Sequence, residues 1–451
     1  LEVESLGELL YACNENRLTL YKGFGEKTQN NIRESIEFYF GSLGRYLYQQ
    51  LESVAHTLEE KLQQVFPDQR FTITGEFRRQ MEIIDTLEWV TTTSTDQLEQ
   101  FFSEQGFTVL KHTTDYFSCK GKENIRLGFY TATKENFISC LFRTTASEPF
   151  LLAWNEQTGW DATRYYETEE ALFEAAGIHP IPAFQRETAA IIHQAKQQKL
   201  PQVIQPADIK GIIHSHSNWS DGVHTLEQMA ENARISGWEY LVISDHSKSA
   251  FYANGLQEDR ILAQHRQIDE LNSHLAPFTI FKSIESDILN DGSLDYAADI
   301  LNRFDLVIAS IHSNLKMNEE KAMMRLIRAI ENPFTSILGH MTGRLLLSRN
   351  GYPVDHQRII DACAANQVVI ELNAHPRRLD MDWRWIDKAM EKDVLISIDP
   401  DAHAIEGFAD CRYGVLVAQK AGLPKEKNLS SFSLAQMELF IRQQKAKRPA
   451  V

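Results

Sequence analysis

The sequence predicts an α/β protein, with a strand–helix barrel from residue 208 onward and a helical then mixed α+β region before it. Three observations predict this. Seven short apolar runs alternate with amphipathic helical patterns after residue 208. These runs are apolar throughout rather than alternating, as strands buried on both faces of a parallel sheet must be. Before that point, apolar residues recur at helical spacing up to residue 66 and in shorter alternating segments over 67–187.

A chain of 451 residues is long enough for two or three domains with real cores. Its net charge of −16 argues against a broadly basic surface for coating a polyanion. Local gripping of DNA stays open, and bound divalent cations would cancel several of these charges. No apolar run approaches the roughly 20 residues a membrane span needs. Cys13, Cys119, Cys140, Cys363 and Cys411 form no CxxC pair and read as reduced thiols. With no basic-then-apolar leader and Leu1 in place of Met, the chain reads as a trimmed cytoplasmic protein.

Residues 1–40 read as helices around Gly23-Phe-Gly25, with a helix over 28–39. A Gly-x-Gly hairpin opening a helix offers free backbone N–H groups to one phosphate, although most such turns are only turns. Residues 41–66 form one periodic helical stretch through Leu43, Tyr46, Leu47, Leu51, Val54, Leu58 and Leu62. Strands are expected at 71–74, 83–92, 107–110, 125–130 and 138–142, with a helix at 95–105. A helix follows over 168–177, with a capping box at Thr168 and a stop at Gly177. The proline- and glutamine-bearing segment 188–207 reads as a linker. The expected domains are thus 1–66, 67–187 and 208–451.

The seven runs cover 211–214, 240–246, 278–285, 305–312, 336–340, 368–375 and 394–403, with helices at 225–236, 321–330, 356–365 and 383–392. Polar residues at the C-terminal ends of barrel strands converge on one mouth. His214, His216, Asp221, His246, Glu285, His312, His340, Asp401 and His403 would all reach it. His214 and His216, at i and i+2, would point the same way from a strand. Any one of them is as readily a hydrogen-bonded strand-end histidine. Together they exceed the four ligands of a single zinc site and predict a multinuclear centre.

Here the sequence resembles a known family. His214-Ser-His216, Ser220-Asp-Gly222, Ser244-Asp-His246, Glu285-Ser-Asp287, Ser310-Ile-His312, Gly339-His340 and Asp401-Ala-His403 resemble the motifs of the PHP (polymerase and histidinol phosphatase) domain, in the version fused to bacterial family X DNA polymerases. The resemblance runs over 208–440 and implies a distorted (β/α)7 barrel with three divalent ions, Zn²⁺ or Mn²⁺. It implies that His214, His216, Glu285 and Asp401 hold the first ion. Glu285 bridges to a second held with His312 and His340, and Asp221, His246 and His403 hold the third. One departure is Asp399, where such polymerases usually carry Asn. Clustered dications activate water and clamp the oxygens of a phosphoester, with Glu285 at the centre. A cation at the mouth, Arg344 or Lys248, would meet the charge developing at phosphorus.

The first part resembles the rest of a family X polymerase. Gly23-Phe-Gly25 stands as its second helix-hairpin-helix, where Lys22, Gly23, Gly25 and Lys27 would meet DNA, while the first hairpin domain that the resemblance would put before it is not seen in this sequence. Residues 168–186 stand as its thumb. Gly75 to Arg79 and Glu82 to Glu88 resemble the nucleotidyl-transfer motif, but Glu76 replaces a serine. Thr86, Glu88 and Arg126 stand where three metal-binding aspartates belong. A hydroxyl and a guanidinium cannot hold Mg²⁺, so this palm reads as inactive.

The leading expectation is a DNA-end phosphoesterase (3′–5′ exonuclease, abasic-site endonuclease or 3′-phosphatase) in DNA repair. It would contact DNA through the backbone, need no membrane, and imply no protein partner. The alternatives are a small-molecule phosphatase of the histidinol-phosphate kind and a non-catalytic DNA-binding module.

Overall fold

The computed structural model describes residues 3, 5–121 and 123–449. The chain divides into two compact units, Leu1–Ile192 with Leu345–Asn350, and His193–Arg344 with Gly351–Val451.

The first unit opens with helices Leu6–Asn14 and Glu26–Ser42. Gly23 takes the left-handed φ of +97° and Gly25 caps the second helix, which starts earlier and runs further than the expected 28–39. The helix expected over 41–66 is broken. Gly44 at φ +80° ends the run, Leu43 is left 49% exposed, and strand β1 (Tyr46–Leu47) precedes helix Tyr48–Val65. Strands β2 (Phe71–Thr74), β3 (Ile83–Ile84), β4 (Leu87–Thr91), β5 (Thr108–His112), β6 (Tyr116–Lys120) and β7 (Arg126–Thr131) follow. The expected strand 83–92 is therefore two strands in different sheets. β3 pairs with β1, while β4 lies between β2 and β7 in a five-stranded sheet of order β2-β4-β7-β6-β5. Strand β6 was not expected, because its three central residues are all buried and show no alternation.

The expected strand 138–142 is a helix, Phe137–Thr145. All six residues from Phe137 to Phe142 are buried, so the apolar run carries no helical period to distinguish it from a strand. At Thr168 the capping box is only half formed. Thr168 Oγ1 accepts from the N–H of Ala171 at 3.1 Å, but alanine has no group to return the bond. The 188–207 segment contains helix Ala189–Lys196, and the division between the units falls inside it. Trp89 stacks on Phe129 at 5.3 Å at the centre of this unit's core, which joins Leu51, Leu62, Leu98, Phe102 and Phe117.

The second unit holds seven parallel strands in sequence order: β8 (Gly211–Ser215), β9 (Tyr240–Ile243), β10 (Thr279–Asp287), β11 (Leu306–Ser310), β12 (Ile337–Leu338), β13 (Val369–Asn373) and β14 (Ile396–Asp399). The sheet nearly closes on itself: Ser215 and Ala402 form a parallel bridge, with His216 N–H donating to the Ala402 carbonyl at 2.8 Å. Helices such as Leu226–Ile235, Glu258–Leu275, Glu319–Ile330 and His356–Asn366 cover the outside. Strands β8, β9, β11, β13 and β14 are buried at every position, as doubly covered strands require. The sequence runs beyond the strands thus become loops that begin at one rim, the C-terminal one.

Candidate metal centre

All nine residues expected at the mouth come together there, and Glu285, on β10, is the hub. Its Oε1 lies 2.9 Å from His340 Nε2, 3.1 Å from His312 Nε2 and 3.3 Å from His214 Nε2. Its Oε2 lies 2.9 Å from His246 Nδ1 and 3.7 Å from His216 Nε2. Asp401 Oδ1 lies 3.1 Å from His216 Nε2 and 3.5 Å from His214 Nε2. Asp221 Oδ1 stands 3.5 Å from His403 Nε2 and 3.7 Å from His246 Nε2.

Strand alternation is not what aligns His214 and His216. His214 has φ +57°, a left-handed conformation that L-residues seldom hold, and the β8–β9 register shifts between Ile212 and Ser215. Asp401 is likewise at φ +52°. Strained backbone at two ligand-type residues on facing strand ends is the kind of distortion that surrounding structure must hold in place.

The donors fit divalent cations. His214 Nε2, His216 Nδ1, His246 Nδ1, His340 Nδ1 and Glu285 Oε2 are buried with no well-directed hydrogen bond, even where His246 Nδ1 and Glu285 Oε2 come within 2.9 Å. Leaving so many polar atoms bare is costly. Among the described residues, three groups have ligand atoms all within 4.8 Å of one another: His216 with Asp221, His246 and His403; His214 with His216 and Glu285; and His246 with Glu285 and His312. Imidazole nitrogens mixed with carboxylate oxygens suit zinc or manganese.

Without a cation among them, electrostatics divides the set into acids and a neutral ring ready to ligate and rings that would give up a proton on ligation. Burial alone would raise the Glu285 carboxyl, but the His312, His214 and His246 imidazoles outweigh it and hold the group well below its usual range. Burial, then repulsion from His246 and His403, lowers His216 to about 3, leaving a neutral ring with a free lone pair. Against the cost of burial, Glu285 and Asp287 raise His312 to about 10, and Asp221 and Asp401 raise His403 to about 9.

Behind these residues stand groups that sequence reasoning missed. Glu371 Oε2 lies 2.9 Å from His214 Nδ1, and Asp287 Oδ1 lies 3.0 Å from His312 Nδ1. Carboxylates in such places fix the tautomer and raise the basicity of a ligand imidazole. Asn373 Nδ2 donates to Asp401 Oδ2 at 3.1 Å. Asp245 accepts from the N–H and hydroxyl of both Ser217 and Ser220 and from Gln264, tying the 217–220 turn to β9. A charged residue inside an apolar strand was a readable signal for Glu371. Asp399 is fully buried at the end of β14. Burial and the neighbouring Glu371 push its carboxyl far above the usual range, and it accepts from Ser397 at 2.6 Å.

The two cations expected at the mouth are engaged elsewhere. Lys248 Nζ donates to Glu258 at 2.7 Å and lies over the Tyr296 ring. Arg344 donates to the carbonyls of Arg378 and Leu379 and to Asp382. The guanidinium that reaches the cluster is that of Arg378, 3.4 Å from Asp401 Oδ2, on the loop Arg344 clamps.

In the first unit, the four expected polymerase positions form no group of ligand-bearing acids among the described residues. Glu76 accepts from the Asp85 N–H at 2.9 Å, and Glu88 accepts from the Tyr130 hydroxyl at 2.8 Å. Burial raises both carboxyls. A Cβ at Gly75 would lie 2.1 Å from Glu88 Oε2, so Glu88 fills the space over that backbone turn. Thr86 and Arg126 line a cavity of about 730 Å³ with Lys111, Lys120 and Arg143. Lys22, Gly23, Gly25 and Lys27 are exposed around the hairpin, beside Glu26 in the first helical turn.

A seven-stranded parallel barrel that pools histidines and carboxylates at its C-terminal rim is a PHP-type phosphoesterase barrel. No family model matches the chain. The DNA polymerase/3′-5′ exonuclease PolX of Bacillus subtilis is 30% identical to it over 461 residues, covering 98% of this chain and 80% of that protein. A probable phosphatase of Thermoanaerobacter sp. strain X514 is 23% identical over 252 residues, which is 53% of this chain and 98% of the phosphatase. A probable phosphatase of Acetivibrio thermocellus is 28% identical over 174 residues, covering 37% and 67% respectively. The chain belongs to the family of bacterial PolX proteins. No helix among the described residues is long and apolar enough to cross a membrane.

Proposed function

We propose that this protein is a metal-dependent phosphoesterase of DNA ends, acting as a 3′–5′ exonuclease in cytoplasmic DNA repair, with an inactive polymerase palm. The observation that carries the reading is the convergence of five imidazoles on the Glu285 carboxylate, in a relative of a named exonuclease. The proposed ligand sets are His214, His216, Glu285 and Asp401 for one ion, Glu285, His312 and His340 for a second, and Asp221, His246 and His403 for a third. His216 also stands close to the third set, its ring 4.4 Å from His246 and 4.2 Å from His403.

When bound, zinc or manganese ions supply a nucleophilic water at neutral pH and neutralise charge on the phosphoester. The chain's own residues do the rest. Glu371 and Asp287 hold the His214 and His312 rings with their outer nitrogens protonated. Arg378 meets the phosphate oxygens, in place of Arg344 or Lys248, and Arg344 acts through it by holding its loop. In the palm, Glu88 capping Gly75 and Arg126 in an aspartate position support the loss of nucleotidyl transfer. The hairpin at Lys22, Gly23, Gly25 and Lys27 would hold DNA backbone. Residues 1–66, 67–187 and 208–451 would thus divide docking, scaffold and hydrolysis.

Incubation of labelled single-stranded DNA with Mn²⁺ tests the reading: stepwise shortening from the 3′ end is expected, with no primer extension under any metal. The second reading is a phosphomonoesterase of the histidinol-phosphate kind, favoured by the probable phosphatases matching the barrel half. Turnover of small phosphomonoesters with intact DNA would favour it instead.

A further inference from the structure

The loop after β9, which follows His246 of the metal centre, leaves two large rings bare. Phe251 is 84% and Tyr252 74% exposed, although their neighbours Ala250 and Ala253 are each only 1% exposed. The backbone that carries them is tied down. Lys248 N–H donates to the Tyr296 hydroxyl at 3.1 Å, Ser249 N–H to Asp295 at 2.7 Å, and Leu256 N–H to the His246 carbonyl at 2.9 Å. A Cβ at Gly255 would lie 1.9 Å from the Ser247 carbonyl oxygen, so the loop closes on itself there as only glycine allows. Asn254 adds two contacts of 3.4 Å to the Trp219 and Ser220 carbonyls. The rings are therefore held out by fixed backbone.

Their place is specific. Phe251–Ala253 is a single 3-10 turn, in which successive side chains project about 120° apart. The two rings thus offer separate faces. The Tyr252 ring centre is 6.4 Å from that of His246, which puts this ring at the edge of the nine-residue cluster. A free phosphate has nothing to set against two flat apolar faces, and the single imidazole of a histidinol phosphate could cover only one of two rings set about 120° apart. Two nucleobases cover both, and stacking on aromatic side chains is indifferent to sequence.

We infer that Phe251 and Tyr252 are stacking platforms for the last two bases of an unpaired DNA strand whose terminal phosphodiester lies among the nine residues. The inference rests on the exonuclease reading and sharpens it. Bases paired in a duplex are stacked on one another and cannot use these rings, so the site selects single-stranded ends. Both residues position the substrate and take no part in the chemistry.

Steady-state cleavage with Mn²⁺ tests this on two single-stranded oligonucleotides, one with ordinary 3′-terminal nucleotides and one whose last two lack bases. The wild-type protein is expected to show a lower KM for the base-bearing strand, by about tenfold per ring. Phe251→Ala and Tyr252→Ala should each remove roughly half of that preference on a logarithmic scale, and the double variant should erase it. Tyr252→Phe should retain it, since the ring and not the hydroxyl is at work. Leucine at either position, bulky but not flat, repeats the test if an alanine variant folds poorly by circular dichroism. A preference that survives the double substitution overturns the stacking role while the exonuclease reading stands. Wild-type protein that cuts neither strand overturns both.

Discussion

The barrel mouth and the five-stranded sheet of the first unit each carry acids that burial acts against, and they come to opposite chemical ends. At the mouth, Glu285 meets five imidazoles and is held ionised despite complete burial. In the first unit, Glu88 and Glu76 are raised by burial, and Glu88 turns to a tyrosine hydroxyl. A buried carboxylate becomes a cation ligand only when basic partners offset its desolvation. Burial works against the charge in both places; the company kept there differs.

The sharpest way to break this comparison is Glu285→Gln, which keeps shape and removes the shared charge. Hydrolysis should fall by about three orders of magnitude or more, with an unchanged circular dichroism spectrum. Retention of activity would detach the mouth from the chemistry.

A contrast inside the first unit comes next. Glu169 is half of a buried network, 2.5 Å from both Arg78 and Arg186. Burial would raise its carboxyl, but Arg186 and Arg78 prevail and lower it from 4.5 to about 2. A depressed folded-state value means stability that is full above the unfolded value and lost as pH falls from about 4.5 toward 2. The network should contribute on the order of 3 kcal/mol at neutral pH. The difference in urea stability between the wild type and Glu169→Gln should therefore shrink as pH falls from 5 to 3. A difference independent of pH would assign the network to packing instead.

A third test concerns the acid behind the mouth. Glu371→Ala leaves the nine inner residues in place but removes the partner of His214 Nδ1. Metal affinity, read by competition with a chromophoric chelator, should fall by about 10- to 100-fold. The smallest effect is expected at the hairpin, where Lys22→Ala and Lys27→Ala should each lower the salt slope of DNA binding by about one and weaken affinity alike for all sequences. Unchanged slopes would place DNA docking elsewhere.

Much of the second unit was readable in advance because local and tertiary demands agree there. Runs such as Val369–Asn373 are apolar because both faces are covered, and their polar ends mark the one rim where the chain leaves the barrel. The same clarity fails at 138–142, where a helix buried on nearly all sides writes the same apolar run as a strand.

The linear sequence therefore determined the seven strands, the rim and the nine residues gathered on it, since periodicity and strand-end chemistry are properties of neighbours in the chain. Only tertiary structure decided that His214 aligns through a left-handed backbone, that Arg378 rather than Arg344 reaches the cluster, and that Phe251 and Tyr252 stand bare on the loop that follows His246. Those outcomes rest on contacts between segments distant in sequence: Glu371 behind His214, Arg344 beneath the 378–382 loop, and Asp295 and Tyr296 under the 248–249 backbone. No local pattern encodes such a contact, because each side of it is ordinary until the fold brings the other.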